Sequence, residues 1–157
     1  MKKIALFADV QNIYYTCRQV HQRQFNYREL WSRVSREGDI VHANAYAIAR
    51  DDDQQKKFQS ALKHIGFNVK LKPYIQRKDG SAKGDWDVGI TIDVMEAAPT
   101  VDHVVLLSGD GDFALLLKKI IDTYGVTTEV HGVRDLTARS LIEASTNFYP
   151  IESGLLL

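Results

Sequence analysis

At 157 residues the chain has room for one domain, residues 1–157, with a real core, and is short for two. Hydrophobic residues at 45% and charged residues at 25% are the proportions of an ordinary globular protein and exclude disordered and collagen-like classes. A net charge of zero argues against a protein that grips nucleic acid with its whole surface, and a single cysteine, Cys17, excludes a disulfide framework and a Cys-rich zinc site, so a reducing cytoplasm is expected.

Residues 3–8 read as a first apolar strand ending at Asp9. The polar Asp9, Gln11 and Asn12 interrupt the apolar run, so no signal peptide or membrane span is readable. Helical patterns follow over 12–22 and 27–36, the second with Tyr27, Leu30, Trp31 and Val34 on one stripe and Gly38 as its stop. Alternation over 40–49 predicts a second strand. Asp51-Asp52-Asp53 then offers the acidic start of a helix that carries Phe58, Leu62 and Ile65 to Gly66. Residues 67–75 alternate apolar with polar or basic side chains, and Pro73 near the end of this strand supports an edge position or a strand terminus. Residues 76–84 are polar, basic and glycine-containing, which predicts an exposed, mobile loop. A helix over about 86–97, a strand over 103–108, a helix over 112–124, a strand over 126–131 and a helix over 136–144 complete the pattern before a short terminal segment. Strands alternating with helices imply a three-layer α/β fold with a mainly parallel sheet.

Charge is distributed unevenly along this pattern. Residues 56–83 carry a net +7 and residues 84–112 a net −7. Beside one another, such blocks suit a cation-dependent enzyme acting on a polyanion; scattered over opposite faces, they mean nothing.

The most informative stretch is Ser108-Gly109-Asp110-Gly111-Asp112-Phe113, which follows the unbroken apolar run Val104–Leu107 and precedes a helix pattern ending at Gly125. Ligand crevices of open α/β sheets lie beyond the carboxyl ends of the strands, where Asp110 and Asp112 would fall. Asp9 ends the first strand and enters the same crevice if that strand neighbours 103–108. Asn12 serves equally as a helix cap or a supporting group. Lys83-Gly84-Asp85-Trp86-Asp87 opens the next helix: Asp87 in the first turn suits a ligand and Asp85 a cap. Asp93, six residues on, is rotated by about 240° from Asp87, so the two do not share a face. Oxygen-only donors select hard cations, Mg²⁺ or Mn²⁺, which polarise a phosphoryl oxygen and activate water. The five histidines lie apart and suggest no triad; His131, at a strand end, is the one to follow. Arg134 lies in the same loop and could meet a phosphate. Trp86 and Tyr14 could stack bases, though packing is the commoner role of an aromatic residue at a helix start.

Asp9-Val-Gln-Asn12, Lys83-Gly-Asp-Trp-Asp87 with Asp93, and Ser108-Gly-Asp-Gly-Asp-Phe113 together resemble the NYN domain family, the LabA-like branch of the PIN-like nucleases, over roughly residues 3–149. The resemblance implies a Rossmann-like PIN fold and hydrolysis of RNA phosphodiesters with Mg²⁺ or Mn²⁺. Carried over by motif, Asp9, Asp87, Asp110 and Asp112 are the catalytic, metal-binding acids, with Asn12, Ser108, Asp85 and Asp93 in support. Lys83, Arg77, Lys78 and Arg134 are candidates for binding single-stranded RNA. Two residues stand between Gly84 and Asp87 where some relatives have one, which leaves Asp85 and Asp87 both open as the ligand. The competing readings are a non-catalytic RNA- or protein-binding regulatory module and, ranked below it, a haloacid-dehalogenase-type phosphatase, which needs an acid where Gln11 stands. A homo-oligomer is left open.

Overall fold

The structure, a computed structural model, describes residues 1–49, 52–73, 75–76, 82–83 and 85–157. Its centre is a six-stranded, wholly parallel sheet of β1 (Lys3–Asp9), β2 (Asp39–Ala49), β3 (Asn68–Pro73), β6 (His103–Leu107), β7 (Thr127–Gly132) and β8 (Asn147–Pro150), in the order β3-β2-β1-β6-β7-β8. This is the doubly wound order, whose direction of winding reverses between β1 and β6. Ala5 to Leu107 along those two strands are almost wholly buried, as unbroken apolar runs covered on both faces should be.

Each face of the sheet carries its own core. On one, Ile4, Leu6, Ala8, Val105 and Leu107 meet Ile13 and Cys17 of α1 (Val10–His21), Leu30 and Val34 of α2 (Tyr27–Glu37) and Leu62 of α3 (Asp53–Ile65). On the other, Ala5, Phe7, Val104 and Leu106 meet Ile90 and Val94 of α4 (Asp87–Ala97), Leu117 and Ile120 of α5 (Ala114–Tyr124) and Leu141 of α6 (Arg139–Ala144). Period-2 alternation in the strands thus sends successive side chains to opposite helical layers. The result is the three-layer α/β architecture predicted.

Local signals explain the element ends. Asn26 caps α2 by accepting from the Glu29 amide at 3.0 Å, and Asp52 caps α3 by accepting from Gln55 at 2.7 Å. Gly125, at φ 66°, ends α5 in the left-handed conformation that glycine adopts without strain. Three details differ from the sequence reading. The first helix starts at Val10, directly on the end of β1, because Asp9 and the following residues turn without a linker. The terminal segment forms an edge strand, β8, which its length of four residues and final Pro150 conceal. Part of the expected 76–84 loop is ordered as an antiparallel ribbon of β4 (Ile75–Gln76) and β5 (Ala82–Lys83). Arg77, Lys78, Gly84 and Asp51 lie outside the described residues, and Lys83 is described by its strand alone. No helix among the described residues is long and apolar enough to cross a membrane.

Candidate functional site

β1 and β6 end side by side at the reversal point, and each delivers an acid there. Asp9, the last residue of β1, is buried at 5% exposure. Beyond β6, Ser108 donates its hydroxyl to Asp9 Oδ2 at 3.0 Å and accepts the Asp110 amide at 3.2 Å, so one buried hydroxyl fixes the distance between the two strand ends. Asn12, in the first turn of α1, accepts the Gly109 amide on its Oδ1 at 2.9 Å and ties the same two segments from above. Both polar residues therefore brace the loop, which is a structural task each performs whatever the loop goes on to hold.

Asp110 then caps the one-turn 3₁₀ helix Gly111–Phe113 by accepting the Asp112 amide on Oδ1 at 2.9 Å. Gly109 is required for close approach: a Cβ there would stand 2.7 Å from the Leu136 carbonyl oxygen, and the Gly109 carbonyl accepts from the Ala138 amide at 3.0 Å. The loop is thus gripped by Asn12 on one side and by residues 136–138 on the other.

The third wall comes from α4. Its position is set by Trp86, whose indole N–H donates to the Ala47 carbonyl at 2.9 Å and whose ring lies against Tyr46 at 5.3 Å. Lys72 stands 4.5 Å over the outer ring face and donates to the Asp85 carbonyl at 3.0 Å. Trp86 is a packing anchor that holds the helix start against β2. Asp87, the first residue of α4, consequently faces the strand ends, and carboxylate oxygens of Asp87, Asp110 and Asp112 come within 4.8 Å of one another. Asp85 is exposed and accepts the Asp87 amide at 3.4 Å.

The electrostatics follow from this crowding. Burial, opposed by the Ser108 and Asn12 hydrogen bonds and reinforced by Asp110 and Asp85, raises the Asp9 carboxyl to about 6. Burial and the adjoining Asp110, in hydrogen-bonding contact with it, push Asp87 up to about 8. Two carboxyls in contact share a proton or a cation. The donors are all carboxylate oxygens, half-exposed at Asp87 and Asp110, and that set fits a hard divalent ion such as Mg²⁺ or Mn²⁺.

Other residues singled out in the sequence fall elsewhere. Asp93 accepts from the Tyr46 hydroxyl and from Lys70 Nζ, each at 2.7 Å, and so joins α4 to β2 and β3 away from Asp87. Arg134, exposed, lies 5.4 Å over the Phe148 ring. Tyr14 packs edge-on to Tyr15 at 5.3 Å and accepts from Arg18. His131 is drawn into a buried knot on the face of the sheet towards α2: its Nε2 meets Glu129 Oε2 at 2.5 Å, while His103 Nε2 meets Glu129 Oε1 at 3.2 Å. Sequence reasoning passed over Glu129. The signal available was its alternation with His131 on one face of a strand otherwise apolar within.

Three comparisons bear on this geometry. The NYN domain family model matches residues 3–152. The chain is 28% identical to the Low amplitude and bright protein LabA of Synechococcus elongatus, over 93% of this chain and 82% of that one. A crystal structure of VPA0982 from Vibrio parahaemolyticus, titled a protein of unknown function, superposes with a TM-score of 0.94 at 51% identity, covering 99% of this chain and 96% of that one.

Proposed function

Because the chain belongs to the NYN domain family, whose members are typically nucleases and use divalent ions, we propose that it is a metal-dependent ribonuclease acting through Asp9, Asp87, Asp110 and Asp112. The observation that carries this reading is the convergence of acids from the ends of β1 and β6 and the start of α4, at the reversal point of the sheet, with Asp87 and Asp110 touching and no basic side chain hydrogen-bonded to them among the described residues. Such a cluster costs the fold stability and repays it by holding a cation.

In this reading the four carboxylates would hold Mg²⁺ or Mn²⁺, which would supply charge stabilisation at the scissile phosphoryl group and a water of lowered pKa. The residues of the chain do the positioning. Asp9, buried and fixed by Ser108, is the rigid wall; Asp87 and Asp112, more accessible, face the substrate side. Asp110 spends Oδ1 on its cap and keeps Oδ2 for the site. Asn12 and Ser108 keep the two strand ends in register, and Asp85 contributes negative charge beside Asp87. Asp93 acts at a distance, by anchoring the middle of α4 through Tyr46 and Lys70.

The substrate proposed is single-stranded RNA, with Lys83, Arg77, Lys78 and Arg134 proposed to bind its phosphates. Residues 1–157 are taken as one working unit in the cytoplasm. The test is incubation of the protein with single-stranded RNA and Mn²⁺ or Mg²⁺. Cleavage abolished by chelation and by Asp110→Asn is expected. No cleavage with either ion overturns the catalytic reading, and RNA binding that survives Asp110→Asn without turnover would instead mark a binding module.

A further inference from the structure

The opposite end of the sheet holds a second set of ligating atoms. His103, the first residue of β6, lies five residues before Ser108, so along a strand the set stands about 16 Å from the acid crevice. Three side chains meet there: Glu37 at the end of α2, His103, and Glu129 of β7, with one ligating atom from each within 4.8 Å of the others.

Proton accounting shows what these atoms would offer a cation. His131 Nδ1 is buried with no hydrogen-bond partner, and an orphaned lone pair costs less than an orphaned N–H, so this ring carries its proton on Nε2 and donates it to Glu129 Oε2. Glu129 Oε1 is left for His103. On His103, Nδ1 lies 2.6 Å from the Thr127 hydroxyl, which in turn reaches the Asp102 carbonyl at 3.5 Å; a metal on Nε2 would take the tautomer in which Nδ1–H donates to Thr127 and Thr127 to that carbonyl. In that tautomer His103 Nε2 turns a lone pair towards the space it shares with two carboxylate oxygens, Glu129 Oε1 at 3.2 Å and Glu37 Oε2 at 3.8 Å.

In the metal-free protein a proton on Nε2 bridges His103 to Glu129, and a divalent ion held by all three side chains would displace it. The 3.2 Å contact is a hydrogen bond at the long end of the N–H···O range. Tetrahedral ligands at about 2.0–2.1 Å from zinc are separated from one another by about 3.3 Å, between the two observed distances. The surroundings also match a metal centre: the second nitrogen of the His103 imidazole is bonded to Thr127, and the second oxygen of the Glu129 carboxylate to His131. With two carboxylates and a neutral imidazole, a divalent ion leaves no net charge in the buried pocket. Glu37, whose side chain is 39% exposed, provides the route in.

We propose that Glu37, His103 and Glu129 form a second cation site, for a transition metal of the zinc class, that pins the end of α2 to β6 and β7. Its ligands include nitrogen, so its selectivity differs from that of the oxygen-only crevice.

Zinc and cobalt(II) binding to the untagged protein tests this. Asp110→Asn, which disables the crevice, should still bind one equivalent of Zn²⁺, raise its Tm on binding, and with Co²⁺ show the visible absorption of a low-coordinate nitrogen- and oxygen-ligated ion. Glu37→Gln, at the exposed ligand and so expected to remain folded by circular dichroism, should weaken Zn²⁺ binding ~10-fold or more. His103→Gln should remove the cobalt absorption. Binding of Zn²⁺ that disappears in Asp110→Asn and persists in Glu37→Gln overturns the proposal, as does the absence of any Zn²⁺ binding by Asp110→Asn.

Discussion

The two ends of the β1–β6–β7 segment place carboxylates in opposite circumstances. At the amino-terminal edge Glu129 is surrounded by the hydrogen bonds of His103 and His131, which outweigh its burial and bring it down to about 2. At the carboxyl edge Asp9 and Asp87 are driven upwards by burial and, beyond that, by the acids around them, Asp110 and Asp85 among them. Ser108 and Asn12 supply hydrogen bonds there but no charge. The comparison teaches where the metal-free fold compensates its own charges and where it leaves them uncompensated. In a doubly wound sheet the uncompensated end is the one where the strands stop and the loops diverge, which is where a ligand has room.

Breaking the crevice should produce the largest effect. Asp110→Asn removes a charge from the carboxylate pair and is expected to lower RNA cleavage ~100-fold or more in Mn²⁺, read as kcat on a labelled single-stranded RNA. The same substitution should leave the metal-free protein at least as stable as the parent, because it relieves repulsion, and thermal melts in chelator check this.

At the other end the sign reverses. Glu129→Ala strands two buried imidazoles and is expected to cost ~3 kcal/mol, with no direct loss of catalytic groups; the check is a chemical-denaturation curve at neutral pH, beside cleavage per folded molecule.

The response to pH sharpens the contrast without mutation. A carboxyl raised in the fold binds more protons folded than unfolded between its two pKa values, so stability declines as pH rises through that window. For Asp9 the window runs from its ordinary 3.8 to about 6, and for Asp87 from 3.8 to about 8. Glu129, lowered, contributes stability that is present above its ordinary 4.5 and lost as pH falls towards about 2. Metal-free protein should therefore gain Tm on acidification from pH 8 to about 6, Asp87→Asn should flatten that gain, and saturating Mn²⁺ should flatten it too.

The smallest effect is expected at Asp93. Its pair with Lys70 is partly solvated, at 19% and 36% side-chain exposure, so Asp93→Asn should cost about 1 kcal/mol or less and change cleavage little beside Asp110→Asn. A loss as large as that of Asp110→Asn would mean that Asp93 belongs to the crevice.

How much of this was legible before the fold was known depends on how local each signal is. The apolar runs of β1 and β6, the caps of α3 and α5, and the edge character of β3 are written in consecutive residues and could be read there. β8 is four residues long, and its pairing with β7 comes from tertiary contact alone. In the crevice the acids stand out because they end apolar strands, yet the unequal burial of Asp9 and Asp112 follows from the layers packed around them. The Glu129 knot joins residues 26 apart through a strand pairing, and its histidines look unrelated along the chain. Among the described residues the two charged blocks of the sequence meet where Lys70 reaches Asp93 and Lys72 reaches the Asp85 carbonyl, so this basic pair props α4.

The most direct measurement is a crystal structure of the protein soaked in Mn²⁺, with anomalous scattering used to locate the ion. The account predicts one or two manganese peaks bounded by carboxylates of Asp9, Asp87, Asp110 and Asp112. A map with no peak in that crevice, from crystals soaked at Mn²⁺ concentrations that support other manganese sites, would contradict it.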